Sequence, residues 1–457
     1  HQGAPCSMFL FSLFINELLE DLQSFYPGIK MCDSVINFMS FANDIVLIAS
    51  CKTDLQYLFD ISYKFSFKWQ FEFNAAKCMV LCFGKDTQPE MEVMMGPNRL
   101  KVSESEPYLG VTLSTTEVRE RDYVTKRIQA VQSMCYATQS LGTRICPLSP
   151  KVASKLYNSS CIPKLLYGVE LLELEEESMT LLEQFHASSA KLYQGLPQNT
   201  SNIASIGTIG WSTIQAKVYI MILMFLWRLL LLPMSCIYKV IIVQKALELL
   251  QGGIVDKKGP TANMILTCVK YSITDIVMES ILSGNYMSIE TWKKNINELV
   301  LADDLKQWKV TCSVYKSVKL YEYPLVKKHQ MSPWWAYASH HPTECNKCRI
   351  LMRLMLNSYR LGRTRCCDVH MNNLPHILFE CTMLHDVRHK YWNIVRNSSV
   401  YNLVSDIEAM SGYERSSFIL NGFNSGYIRE WEETYRVMLL FVYKMFTAYQ
   451  KANNTML

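Results

Sequence analysis

Apolar and polar positions follow two rhythms along this chain, and the change of rhythm divides it. Residues 8–22 (MFLFSLFINELLEDL) carry a broad apolar side, with Ser12, Asn16, Glu17, Glu20 and Asp21 on the polar side. That spacing predicts a helix, with Ser7 as its N-cap. Two apolar runs, Val35–Phe41 and Ile45–Ala49, flank the polar pair Asn43-Asp44. They predict an antiparallel hairpin over 35–49 with Asn43 and Asp44 at its tip. The aromatic-rich stretch 55–73 has mixed periodicity, and MVLCFG (79–84) and YLGVTLS (108–114) read as short strands. Residues 1–115 are expected to mix helix and strand.

From about residue 120 the rhythm is helical. In residues 121–141, Val124, Ile128, Val131 and Cys135 fall on one face. The acidic run Glu173 to Glu177 reads as a solvated helix start. Near the end, Trp431, Tyr435, Met438, Val442 and Met445 recur at helical spacing. Gly252 to Pro260 (GGIVDKKGP) is the best linker candidate. The longest apolar run, residues 219–227, is followed by Arg228 and Pro233. A membrane span needs about 20 apolar residues, so a buried core helix is expected and no membrane association.

A length of 457 residues predicts two or three domains. With 49% hydrophobic and 19% charged residues the chain is globular in composition, not disordered. The net charge of +5 permits a nucleic-acid partner without arguing for one. The 16 cysteines are scattered through apolar segments and no secretory signal opens the chain. They predict reduced, mostly buried thiols in a cytoplasmic or nuclear protein that is not secreted. The chain opens on His1, inside what reads as a structured element, and is expected to be a fragment.

The order of short motifs carries the chemistry. Gln2, Gly3, Pro5 and Ser7 precede the first helix; Phe41, Ala42, Asn43 and Asp44 form the hairpin centre. Asn74 and Lys77 follow, and then Tyr108, Leu109 and Gly110. Each motif alone is weak, and Asn-Asp by itself is an ordinary turn pair. Together they resemble the palm of reverse transcriptases of non-LTR (LINE-type) retrotransposons, in which the hairpin tip reads Phe/Tyr-Ala-Asp-Asp. The resemblance continues through residues 163–172, 194–211 and 376–392.

It implies an α+β fold: a partial right-hand polymerase palm (β-hairpin plus helices) over 1–115, a helical thumb or connector over 116–251, and a mostly helical C-terminal region over 252–457. It also implies an RNA-directed DNA polymerase, a nucleotidyltransferase, acting on an RNA or DNA template-primer. In that family two divalent cations, magnesium by preference, clamp the attacking and leaving oxygens about 3.5–4 Å apart. The resemblance makes Asn43 and Asp44 the catalytic positions, Asp44 a vestigial magnesium ligand, Gln2 and Gly3 the lining of the template–nucleotide pocket, and Lys77 a neighbour of the triphosphate. Lys77 reads equally as a solvated lysine at a strand edge. Here Asn43 replaces the first tip Asp, and the family's earlier Asp is expected upstream of His1. A polymerase remnant without activity is therefore expected. The alternatives are a non-catalytic nucleic-acid-binding module, drawing on YKFSFKWQF (63–71) and RHKYW (388–392), and a helical scaffold or membrane-associated protein built on 214–250, against which Arg228 and Pro233 speak.

A second constellation is Cys367, His370, His376 and Cys381, with Cys366 adjacent. Four such donors at short spacing suit a tetrahedral structural zinc. Cys345 and Cys348 offer an alternative pairing within the 345–381 cluster. Equally, His376 and Cys381 read as packed helix residues.

Overall fold

The computed structural model describes residues 6–24, 28–31, 34–84, 92–115, 120–139, 148–252, 258–314, 329–359, 374–398, 407–421 and 432–454. The chain divides into two compact units, one of His1–Arg119 with Leu226–Tyr286 and one of Glu120–Phe225 with Met287–Leu457. The linker candidate falls largely on 253–257, outside the described residues.

The first unit begins with α1 (Ser7–Gln23). Ser7 is its first residue and Cys6 holds the cap position, so the expected serine cap is displaced by one. The helix buries Ile15, Leu18 and Leu22 while Phe9, Leu10 and Leu13 on its broad apolar side stay exposed. Strand β1 (Ile29–Met31) pairs antiparallel with β2 (Ser34–Ile36), and β3 (Phe38–Phe41) with β4 (Asp44–Leu47). The expected continuous strand Val35–Phe41 is thus split at Asn37. The buried Asn37 amide turns away to donate to the Leu22 carbonyl at 2.6 Å, satisfying an acceptor at the end of α1. The β3–β4 ladder resumes beyond it, with the Ile48 N–H donating to the Asn37 carbonyl.

Helix α2 (Lys52–Lys68) settles the mixed stretch. It ends at Trp69, where Gln70 takes a left-handed φ of 53° and the Phe71 N–H returns to the Ser66 carbonyl. Leu58 and Phe65 of α2 bury against Ile15, Leu18 and Leu22 of α1, with Phe38, Ile45 and Leu47 of the hairpin packed on the same cluster. Phe14, Phe65 and Phe71 meet with centroids 5.6–5.8 Å apart, in tilted or edge-on contact. Glu17 accepts from Trp69 Nε1 at 3.2 Å and pairs with Lys68, so α1 and α2 are also tied at the surface.

Beyond α2, β5 (Met79–Leu81) pairs in parallel with β8 (Lys101–Ser103). The short strands β6 (Met94–Met95) and β7 (Asn98–Arg99) form a tight hairpin. Its turn needs Gly96, whose φ is 57° and whose added Cβ would strike the Tyr63 ring at 2.2 Å. A further hairpin joins β9 (Ser105–Tyr108) to β10 (Val111–Ser114). YLG is therefore not the strand expected: Leu109 (φ 48°) and Gly110 (φ 79°) are its two left-handed turn residues.

The second unit is helical. It contains α3 (Glu120–Gln139), α4 (Pro150–Leu156), α5 (Ile162–Leu165), α6 (Glu176–Gln194) and α7 (Asn202–Ile209). Helix α8 (Ile214–Leu230) buries Ile222, Leu223, Leu226 and Trp227, in keeping with a core helix. Among the described residues no single helix is long and apolar enough to cross a membrane. Helices α9 (Ile237–Gly252), α10 (Pro260–Lys270) and α11 (Thr274–Ser283) belong to the first unit, where Ala246 and Leu249 pack on Ala262 and Ile265. Helix α12 (Ile289–Val314), α13 (Pro333–His340), α14 (Cys345–Met355), α15 (His385–Arg396), α16 (Gly412–Asn421) and α17 (Glu432–Asn454) complete the second. Tyr435, Met438, Val442 and Met445 of α17 are buried as their spacing predicts; Trp431 lies outside the described residues.

The N-terminus of α8 is held by carboxylates from two other helices. Asp304 of α12 accepts from the Thr213 hydroxyl at 2.5 Å and from its backbone N–H at 3.3 Å. Glu183 of α6 accepts from the Gln215 N–H at 2.9 Å, and Thr213 Oγ1 caps the Ala216 N–H. These acids meet the orphan donors and the positive end of the helix dipole. Burial, with the nearby Asp304 charge, raises the Glu183 pKa to about 7.

Candidate functional site

In the β3–β4 hairpin Phe38 pairs with Leu47, Met39 with Val46, Ser40 with Ile45 and Phe41 with Asp44. The turn is therefore Ala42-Asn43, with Ala42 at φ 53°, and Asp44 is the first strand residue rather than part of the tip. Residues facing each other across an antiparallel pair share a face, and that face changes at every residue. Phe38, Ile45 and Leu47 use one face to pack on α1 and α2. Asp44 shares the other face with Phe41, Met39 and Val46. Asn43, Asp44 and Phe41 are all exposed.

Tyr108 ends β9. Burial raises the pKa of its phenol, and the Tyr238 phenol and the Asp44 carboxylate add to the effect. Only the Tyr-Leu-Gly motif pointed to Tyr108, and Tyr238, on α9, carries no local signal.

Lys77 ends a single helical turn, Ala75–Lys77, and its N–H donates to the Asn74 carbonyl at 2.9 Å. Both side chains are exposed just before β5. Gln2, Gly3 and Pro5 lie outside the described residues, as do Cys366, Cys367 and His370. His376 and Cys381 are described. They bracket one wide helical turn, both buried, with the Cys381 N–H on the His376 carbonyl at 2.8 Å and Glu380 Oε2 3.7 Å from His376 Nδ1. Cys345 and Cys348 are buried on α14, and burial raises the Cys348 thiol. Among the described residues no three His, Cys, Asp or Glu side chains come together as a metal ion would require, either here or at the hairpin.

The stretch 194–211 is the centre of a buried polar frame. Gln194 donates to the Ala190 and Ser205 carbonyls and accepts from Thr208 Oγ1 (2.7 Å) and Trp335 Nε1 (2.8 Å). Trp211 stacks on Tyr157 with centroids 4.4 Å apart and donates to Ser154 Oγ at 2.6 Å. His186 lies between the Tyr157 hydroxyl and the Ser212 carbonyl, each at 3.0 Å. Burial, with the Lys217 charge, lowers its pKa to about 3, so the ring is neutral and donates from Nε2. Arg353 donates to the Gly195 carbonyl and so fixes the loop after α6. Every one of these groups is satisfied within the frame, which marks it as structural.

Residues 1–113 match the family described as reverse transcriptase (RNA-dependent DNA polymerase). The chain is also similar to the retrovirus-related Pol polyprotein from type-2 retrotransposable element R2DM of Drosophila melanogaster. The two are 29% identical over 124 residues, 25% of this chain and 12% of the relative. The chain thus covers about an eighth of that protein's length. The family match over residues 1–113 takes in the hairpin, Asn74, Lys77 and the Tyr-Leu-Gly turn, the order of motifs that carries the resemblance. Over residues 1–113 the chain is thus similar to the reverse transcriptase family, and over 124 residues to the Pol polyprotein of a retrotransposable element.

Proposed function

We propose that this chain is a retrotransposon-derived reverse transcriptase remnant that contacts nucleic acid but does not transfer nucleotides. The observation that carries this reading is Asn43 in the hairpin turn, one residue before the exposed Asp44. Two cations held about 3.5–4 Å apart need closely placed anionic oxygens. An amide is neutral, and no described group of three donor side chains includes the tip. The residues present do not fit a metal pair, and no catalytic step is assigned to them. In this reading Asp44 is a vestigial ligand, Gln2 and Gly3 descend from a template–nucleotide pocket, and Lys77 from a phosphate contact.

Residues 1–115 would be the palm portion, 116–251 the thumb or connector and 252–457 a C-terminal region, in a protein of the cytoplasm or nucleus. Template-primer contact would persist because phosphate attraction does not need the metal site. Lys64 and Phe67 occupy one exposed face of α2 at i and i+3, a cation and a ring suited to single-stranded RNA. In the C-terminal region Cys367, His370, His376 and Cys381 would hold a structural zinc. Atomic absorption on the purified chain should then find about one equivalent, lost in Cys381→Ser.

The test of the main reading is primer extension on an RNA template with magnesium or manganese. The natural chain is not expected to extend, because the neutral Asn43 amide stands where the hairpin's first acid is needed. Templated extension by the natural chain overturns the reading.

A further inference from the structure

We propose that His385 and His389 form a surface site for an exchangeable divalent cation of the nickel, copper or zinc class. Both lie on α15, one turn apart, so their side chains share a face. Their ring centroids are 6.2 Å apart with planes 15° from parallel, and both residues are exposed. An exposed histidine pair at this spacing is often no more than a solvated helix face. Two further contacts distinguish this one.

The first is behind His385. Asp386 Oδ1 lies 3.3 Å from His385 Nδ1. A carboxylate there favours the proton on Nδ1 and leaves the Nε2 lone pair for a metal, the usual outer partner of a metal-binding imidazole. The second is ahead of His389. The Asn393 amide nitrogen is 3.3 Å from Nδ1 and 3.4 Å from Nε2, continuing the row at i+8 from His385. A half-turn of that amide presents Oδ1, a third neutral donor.

Nearby cations are directed elsewhere. The Arg388 guanidinium donates to the Leu378 carbonyl at 2.9 Å and the Cys381 carbonyl at 2.5 Å. Lys390 Nζ lies over the Tyr391 ring at 5.8 Å. Imidazoles with an oxygen donor and water suit nickel, copper and zinc better than magnesium. With only two imidazoles converging, the site is open and its ion exchangeable, unlike a closed structural zinc.

The test uses the full chain. Nickel chloride is titrated by calorimetry at neutral pH, and cobalt chloride by absorbance. One equivalent of nickel should bind. Its affinity should fall about 10²-fold in His385→Ala and in His389→Ala, the scale of losing one arm of a two-armed attachment. Asp386→Asn should weaken it about tenfold, as loss of an outer partner does. The cobalt bound at this site should lack a thiolate charge-transfer band, which separates it from the Cys-containing cluster. All three positions are exposed, so the melting midpoint serves as a check that the variants fold. Nickel binding unchanged in both histidine variants overturns the proposal, as does a thiolate band on the equivalent that they remove.

Discussion

Asp44 stands directly opposite Phe41 at the head of the β3–β4 ladder, so that only Ala42 and Asn43 lie between the strands. This pairing puts the remaining acid on a strand, on the face turned away from the α1–α2 core, and leaves the neutral amide in the turn. The resemblance to a polymerase tip and the loss of its first acid therefore sit on two adjacent residues with different backbone roles.

Ala42 bears a left-handed φ of 53°. An L-residue there costs roughly 1–2 kcal/mol, part of which glycine recovers after its own entropic cost. Ala42→Gly should stabilise the chain by about 0.5–1 kcal/mol and Ala42→Val should destabilise it. Urea midpoints at constant slope provide the check, and a lower midpoint for the glycine variant would contradict the turn geometry.

Gln194 joins α6, α7 and α13 through Thr208 and Trp335. Gln194→Ala takes away the acceptor of the buried Trp335 Nε1–H, at a cost of about 1–3 kcal/mol. The variant should lose about 2 kcal/mol or more in urea unfolding. A loss below about 0.5 kcal/mol would place the network outside the stabilising set.

Glu183 should confer a measurable pH dependence. Its folded pKa, about 7, is raised above the ordinary carboxylate value by burial and then by Asp304. The folded state therefore binds the proton more tightly than the unfolded one. The stability from this group is complete below about pH 4.5 and is lost as pH rises through about 7. Glu183→Gln should remove that part of the slope, so the variant's urea midpoint gains on the natural chain between pH 5 and 7.5. An identical pH profile for the two proteins would contradict the assignment.

RNA contact through α2 predicts that Lys64→Ala weakens binding to single-stranded RNA evenly across sequences and reduces the salt slope by about 0.7. Phe67→Ala should cost about 1–3 kcal/mol if a base stacks there. Fluorescence anisotropy over a salt series reads both. Full affinity in both variants would move the contact elsewhere.

Much of the framework was legible because its periodicity was strong. Helix α1, helix α3, the Asn43 hairpin and the buried stripe of α17 all follow from apolar spacing. What failed locally was decided by partners far along the chain. Asn37 breaks a strand because its amide meets the Leu22 carbonyl. Leu109 adopts a left-handed turn that leucine alone would not indicate. Phe9, Leu10 and Leu13 belong to the broad apolar side of the pattern, yet they stay exposed while Ile15, Leu18 and Leu22 are buried. His186, Lys191 and Gln194 of α6 are polar and yet buried, each within a set of hydrogen bonds that no spacing rule reveals.

The central claim is that Asn43 marks a metal site that no longer works. The most direct measurement is extension of a labelled primer on an RNA template by the purified chain, with magnesium and then manganese, alongside RNA binding by the same preparation. Losing a single transition-state electrostatic group costs about 10²–10³ in rate. The account predicts salt-sensitive RNA binding with no templated product. Templated extension by the unmodified chain would contradict it.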